Sequence, residues 1–384
     1  MEKNTAAIYG LSTEGYNLGM ACVKKGIKTN IIDESLGKAI RLREDTIQKK
    51  STVNLVSNDS TLVFEPISEV LKESQIIFFT PRIRGKIDEL QGEIITRLKD
   101  VAKHLTKETI FIYNLPTSIG GNNEILEIIE QISGLKHNKE FRYGYAPISI
   151  DNSEIIARLP SIKESEMIKD VFIEVTNSIK IMPTLELAEL EYARYILNRY
   201  SNIAIDSEVY SKFLGIDKRI KEDVNESPIF IDQIMNVMID LRLLSNTLRG
   251  GDPLLHVISG ILKSFELYTK RLVEHVRNQI RDKQLKASRT RISIYWSIDE
   301  HEIRGEKIQT LNLMENRFRD FVSEINIIKP NLSPSFNPIL GSGRDEKNTI
   351  VITCSKKDQE KAKEVIKDIQ SDNDLIIPAN LLMD

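Results

Sequence analysis

The stretch AAIYGLSTEGYNLGMACVKKGIKTNIID, residues 6–33, decides how the chain begins to fold. Residues 6–9 are a short apolar run of the kind that forms a buried parallel strand. Gly10-x-Ser12-x-x-Gly15-x-x-x-Gly19 follows and opens a helical pattern that lasts to about Lys25. Gly26 stops the helix, and IKTNIID reads as a second strand ending in Asp33. A glycine pattern between a strand and a helix is the context that binds a dinucleotide. Gly10 permits the tight turn out of the strand, and Gly15 lets the helix approach the sheet. The first amides of the helix carry partial positive charge toward a pyrophosphate. Asp33 stands where a carboxylate accepts hydrogen bonds from the adenosine ribose and repels a 2′-phosphate, which favours NAD over NADP. Two residues depart from the pattern. Ser12 replaces the glycine at the closest backbone approach, although its hydroxyl is itself a donor. Glu14 puts a negative charge on the first turn, which suits an empty helix N-terminus better than one holding phosphate. A working NAD site and a doubly wound domain without a dinucleotide both remain open. The cofactor candidates are Gly10, Ser12, Thr13, Glu14, Gly15 and Asp33, joined by Thr80, Pro81 and Thr117 on neighbouring loops.

The chain has 384 residues, 41% of them hydrophobic and 28% charged, with a formal net charge of −3. That length predicts two or three domains. The near-neutral balance gives no global attraction to nucleic acid or to an acidic membrane. No apolar run approaches the roughly 18 residues that span a bilayer. MEKNTAAIYG lacks the basic and then apolar pattern of a secretory signal. Cys22 and Cys354 are the only cysteines, so no disulfide framework is expected. A cytoplasmic location follows from these features. The five histidines are scattered, and no metal site is expected.

Further strands are predicted at 60–64, 74–81, 108–114 and 141–150, with helices between most of them. This alternation predicts a Rossmann-like, doubly wound parallel sheet over residues 1–160. In such sheets the loops at Thr80-Pro81 and at 115–123 share a rim with Gly10. From about Pro183 one long helix is predicted, and two further helical blocks complete a central all-helical domain at 161–285. Its apolar stripe predicts a homodimer through the central helices. RDKQLKASRTR reads as a solvated basic linker, since no aromatic residues interleave it. A smaller C-terminal α/β domain at 286–384 has strands at 291–297 and 348–354 and a helix over 306–325.

With this order in view, the chain resembles the UDP-glucose/GDP-mannose dehydrogenase family. The likeness is strongest in residues 100–150, where IFIYNLPTSIGGNN resembles the family's strand and Ser-Thr-Val-Pro-Pro-Gly-Thr-Thr loop. FRYGYAPISID there resembles its Tyr-Ser-Pro-Glu-Arg strand. SQIIFFTPRIR is similar to the strand ending in Val-Pro-Thr-Pro, and AELEYARYILNRYSNIAIDSE to the central helix with a catalytic lysine and asparagine. GIDK and HEIRGEKIQTLNLM are weaker echoes. The resemblance implies oxidation of the C6 alcohol of a nucleotide sugar by NAD, through a cysteine-bound thiohemiacetal and thioester.

Carried over position by position, the resemblance leaves few reactive groups. The loop threonine is kept as Thr117, and the helix keeps Ala188 and Glu189. The glutamate of the Tyr-Ser-Pro-Glu-Arg strand falls on Ile148 and its arginine on Ser149. The lysine falls on Tyr192, the first asparagine on Ile196 and a second on Ser207, beside a retained Glu208. The nucleophile's loop is reduced to RGGDPLL, without a cysteine, leaving Gly250 and Gly251 as substrate candidates. Those glycines also suit a helix C-cap. Arg304 is either a nucleotide contact or a surface arginine. Thr117 is either a cofactor contact or a turn residue, and Tyr192 reads as a core aromatic. Loss of one proton-transfer group costs about 10²–10⁴ in rate, and loss of the nucleophile closes the covalent route. The expected function is a non-catalytic or regulatory protein that binds NAD. The alternative is an active NAD-dependent oxidoreductase acting on a UDP- or GDP-sugar.

Overall fold

A computed structural model describes residues 4–43, 63–85, 89–148, 153–213, 229–246, 248, 250–328, 348–367 and 375–380. Packing divides the chain into two units. The first comprises Met1–Ile196, Ile239–Arg249 and Asp299–Gly305; the second comprises Leu197–Met238, Gly250–Ile298 and Glu306–Asp384.

The first unit is built on a seven-stranded sheet: β1 (Thr5–Tyr9), β2 (Lys28–Asp33), β3 (Lys38–Arg41), β4 (Phe64–Glu65), β5 (Ile76–Phe79), β6 (Ile110–Tyr113) and β7 (Arg142–Tyr145). Their order across the sheet is β4-β3-β2-β1-β5-β6-β7. β1 lies parallel between β2 and β5, with Ile8 opposite Ile31 on one side and Phe78 on the other. The β3 and β4 edge is antiparallel. Helices α1 (Thr13–Lys24), α2 (Ile67–Glu73), α3 (Leu90–Ala102), α4 (Gly121–Ser133) and α5 (Glu164–Ile173) alternate with the strands. Every residue of β5 and β6 is buried. Continuous apolar runs such as IIFF and IFIY are what a sheet covered on both faces requires. Tyr9, Phe79 and Tyr113 stack across three neighbouring strands at centroid distances of 5.5 Å. A short parallel pair, β8 (Glu154–Ala157) and β9 (Ser178–Ile181), follows.

The long helix expected after Pro183 is α6 (Leu185–Phe213), uninterrupted over 29 residues. Helices α7 (Ile231–Met235), α8 (Val237–Ser245) and α9 (Pro253–Asp282) continue the helical block. The second unit holds a wholly parallel four-stranded sheet ordered β11-β10-β12-β13. Its strands are β10 (Thr290–Tyr295), β11 (Glu324–Ile328), β12 (Asn348–Thr353) and β13 (Leu375–Pro378), with helices α10 (Glu306–Arg319) and α11 (Lys356–Lys367).

Several elements differ from the sequence expectation. The helix expected over 306–325 ends at Arg319, and EINII becomes β11 beside β10. Its β-branched residues fit a pleated surface better than a helix. The strand expected over 141–150 stops at Tyr145, just before Pro147, which cannot donate to a ladder. The basic linker is shorter than expected, because α9 runs to Asp282 and β10 starts at Thr290. Arg291 within it is buried and paired with Glu324. Residues 60–62 of one expected strand, Ser149 and the GIDK stretch lie outside the described residues.

Candidate functional site

The carboxyl ends of β1 and β5 bring Gly10, Ser12, Gly15, Thr80 and Pro81 together. Gly10 has φ +114, and a Cβ there would lie 2.3 Å from the Thr80 carbonyl oxygen and 2.5 Å from the Pro81 Cα. Only glycine takes that conformation against backbone so close. A Cβ on Gly15 would sit 2.7 Å from the Gly10 carbonyl and 2.5 Å from the Thr80 hydroxyl, so glycine here allows α1 its close approach. Ser12 is fully buried as the N-cap of α1. Its hydroxyl donates to the Thr80 carbonyl (3.1 Å) and accepts from the Gly15 N–H (2.9 Å).

A helix N-terminus exposes amides that need outside partners, and here those of Ser12, Thr13 and Gly15 have one. Ser12 N–H donates to the Gly10 carbonyl (2.9 Å) and Thr13 N–H to the His301 carbonyl (2.8 Å). Gly15 N–H is held by the Ser12 hydroxyl. The partner of Thr13 belongs to Asp299–Gly305, a segment of the first unit whose sequence neighbours on both sides belong to the second. The Thr13 hydroxyl donates to Asp299 Oδ2 (2.6 Å), and Ile303 N–H donates to Glu14 Oε2 (2.8 Å). Burial pushes the Glu14 carboxyl up to about 7, against the lowering effect of the Arg304 charge.

Asp33 is 1% exposed. Its Oδ1 accepts from the Ser35 N–H (2.8 Å) and hydroxyl, while its Oδ2 has no partner among the described residues. Asp33 thus keeps a buried acceptor oxygen at the end of β2. The phosphate end does not fit a pyrophosphate in this arrangement: the Ser12, Thr13 and Gly15 amides are taken, and the half-buried Glu14 carboxylate stands beside them.

Two of the positions that the resemblance aligns with catalytic groups, Ile148 and Tyr192, meet at Arg304 and Asp240. Arg304 is 3% exposed and Asp240 fully buried. The guanidinium donates through Nε to Asp240 Oδ1 (2.8 Å) and through Nη2 to Asp240 Oδ2 (2.9 Å) and to the Ile148 carbonyl (2.9 Å). The Tyr192 hydroxyl donates to Asp240 Oδ2 at 2.7 Å. Burial alone would lower the Arg304 pKa, but the Asp240 carboxylate outweighs it and holds the guanidinium well above its usual value. Burial, and then the Asp240 charge, push the Tyr192 hydroxyl well up, so it stays protonated as a donor. Tyr192 is therefore the core aromatic expected, while Arg304 is neither exposed nor free for a nucleotide. Ile196, one turn beyond Tyr192, is fully buried.

Thr117 is held within its own loop. Its N–H donates to the Tyr145 hydroxyl (3.3 Å), and its hydroxyl accepts from Asn122 Nδ2 (3.3 Å). Asn122 is fixed in turn by Glu189, whose carboxylate also accepts from Asn122 N–H (2.8 Å) and Gly120 N–H (2.7 Å) at the start of α4. In the second unit Glu208 is engaged by Arg271 at 2.6 Å. Gly250 and Gly251 lie in the turn before Asp252, which caps α9 by accepting from Leu254 N–H. Neither glycine has the positive φ of a helix C-cap. Both thiols are buried; burial pushes Cys22 up to about 12 and Cys354 well above its usual value. Neither is a thiolate near neutral pH. Among the described residues, no group of three or more His, Cys, Asp or Glu forms a metal cluster.

Sequence reasoning missed Asp240, Arg84 and the 299–303 segment. Asp240 had a signal: a lone carboxylate in the apolar run VMIDLRLL must find a partner when buried. Arg84 and residues 301–303 lie in stretches that carry the resemblance, but nothing local showed their contact, because backbone carbonyls are their main partners.

No protein-family model matches the sequence, and no curated protein sequence matches it. Solved structures do. The UDP-D-ManNAc dehydrogenase of Pyrococcus horikoshii matches with TM-score 0.65 at 14% identity, over 99% of this chain and 96% of that one. The UDP-glucose dehydrogenase of Pyrobaculum islandicum gives TM-score 0.61 at 12% identity, over 99% and 94%. The NDP-N-acetyl-D-galactosaminuronic acid dehydrogenase of Methanosarcina mazei Go1 gives 0.54 at 13%, over 100% and 92%. Along nearly its whole length, the chain has the fold of these nucleotide-sugar dehydrogenases.

Proposed function

We propose that the chain is a non-catalytic protein on a nucleotide-sugar dehydrogenase scaffold, with a regulatory or scaffolding role. One observation carries this reading. The place where acid–base groups would meet a sugar is filled by the Arg304–Asp240 pair, which ties the Tyr192 hydroxyl and the Ile148 carbonyl into one buried knot. Each ionisable group in it is engaged by a partner, and none is positioned to take a proton from a ligand. A thiol nucleophile is also lacking, since both cysteines are buried and burial pushes their thiols up. The first unit remains a dinucleotide-type domain, and Asp33 favours NAD over a 2′-phosphorylated dinucleotide. The chain pairs with a second copy through its central helices. Leu187, Leu190, Ile205 and Val209 of α6 are 42–58% exposed. At 100° per residue they fall on one stripe, which a partner helix would cover. Among the described residues, no helix is long and apolar enough to cross a membrane.

The test is turnover. The full chain is incubated with NAD and a panel of UDP- and GDP-sugars, and NADH absorbance is followed. The expected result is no NADH above the protein-free control. Sustained turnover with any sugar overturns the reading.

A further inference from the structure

We propose that Asp299–Arg304 is an intramolecular latch, which occupies the phosphate end of the dinucleotide cleft and excludes the ligand until it is released. The inference rests on the reading that the first unit is a dinucleotide-type domain. The latch presents to α1 what a pyrophosphate would present, an acceptor for the Thr13 N–H and for the Thr13 hydroxyl. The His301 carbonyl takes the first at 2.8 Å and the Asp299 carboxylate the second at 2.6 Å. Asp299 also stiffens the segment by accepting the His301 N–H at 2.8 Å.

One side chain staples the segment down. The Arg84 guanidinium donates to three of its carbonyls: Glu300 (2.8 Å), Glu302 (2.6 Å) and Ile303 (3.0 Å). The backbone beneath adds the Ile83 N–H to Ile303 carbonyl bond (2.7 Å). Arg84 is placed for this because Glu93 holds its N–H and that of Gly85. At the far end Arg304 is anchored on Asp240. Glu14 belongs to the closed state as well, since its carboxylate is held over the helix by Ile303 N–H. Lifting the latch frees the Thr13 amide and removes that hold on Glu14. At the ribose end Asp33 Oδ2 is buried and has no partner among the described residues, an acceptor that opening of the cleft would offer to a ligand. A cleft whose phosphate end is filled by its own chain, with a buried acceptor left without a partner among the described residues at the other end, is the arrangement of an autoinhibited site.

The test compares NAD binding, by titration calorimetry, to the wild type, Arg84→Ala and Arg84→Ala/Asp299→Ala, with hydrogen exchange of the Thr13 and Ile303 amides as the latch readout. If the open form is a minor state, the apparent Kd is the intrinsic Kd divided by the open fraction. Loosening the latch is therefore expected to speed both amides and to tighten NAD binding at least about tenfold. Arg84→Lys, a milder change whose ammonium cannot span three carbonyls, is expected to fall between and serves if the alanine variants do not fold. Equal affinity in wild type and variants overturns the proposal. So does fast exchange in a folded variant that still binds no NAD. Neither outcome involves turnover, so the latch and the absence of catalysis stand or fall separately.

Discussion

Replacing Arg304 with Met is the sharpest perturbation of the buried knot. Asp240 has no solvent exposure and would keep a single donor, the Tyr192 hydroxyl. Removing one partner of a buried ion pair costs about 3–5 kcal/mol, because the remaining charge is left uncompensated. For a domain of roughly two hundred residues each kcal/mol moves Tm by about 2–4 °C, so the expected fall is about 6–20 °C. The triple variant Arg304→Met/Asp240→Leu/Tyr192→Phe removes the charges and the hydroxyl together, and should regain most of that loss, since apolar replacement of a buried pair is often neutral or better. Urea unfolding followed by far-UV circular dichroism measures both. The single tryptophan, Trp296, lies in the second unit and does not report on this pair. A cost below about 1 kcal/mol for Arg304→Met, the level of a solvent-exposed pair, would refute the buried geometry. A triple variant less stable than the single one would refute the view that the knot replaces a packed core.

Glu14→Gln should make stability less dependent on pH. The folded pKa of Glu14, about 7, lies above its ordinary value of 4.5. The native state therefore holds the proton more tightly, and wild-type stability falls as pH rises through that window. The glutamine does not titrate, so its advantage over wild type should grow by about 2–3 kcal/mol between about pH 5 and pH 8 in paired unfolding curves; a pH-independent difference would contradict this. Glu189→Ala leaves three donors at the start of α4 without their acceptor. Each such loss costs about 1–3 kcal/mol, so destabilisation of at least about 2 kcal/mol is expected in the same assay. Both cysteines should resist a thiol reagent in the native protein and react on unfolding, as titration of released chromophore would show.

The opening of the chain was legible because its signals are local. Gly10, Ser12 and Gly15 lie within six residues, and each answers to a backbone constraint visible in sequence. The long α6 was equally plain, since no glycine or proline interrupts it. β11 was missed because a helical pattern ran straight into an Ile-rich segment that only its neighbour β10 makes a strand. The site was legible by subtraction: the absent lysine and cysteine could be seen, but not what fills their place. Asp240 and Arg304 are 64 residues apart, and nothing local pairs them. The latch was least visible, since it meets Thr13, Ile83 and Arg84 mainly through its own backbone carbonyls, which every residue carries.

The most direct test of the account is a crystal structure of the full chain grown with saturating NAD and a UDP-sugar. The account predicts Asp240 and Tyr192 buried together at the position of the acid–base groups, with no lysine amine or thiol within reach of the cleft. A lysine and a cysteine converging beside a bound nicotinamide ring would contradict it.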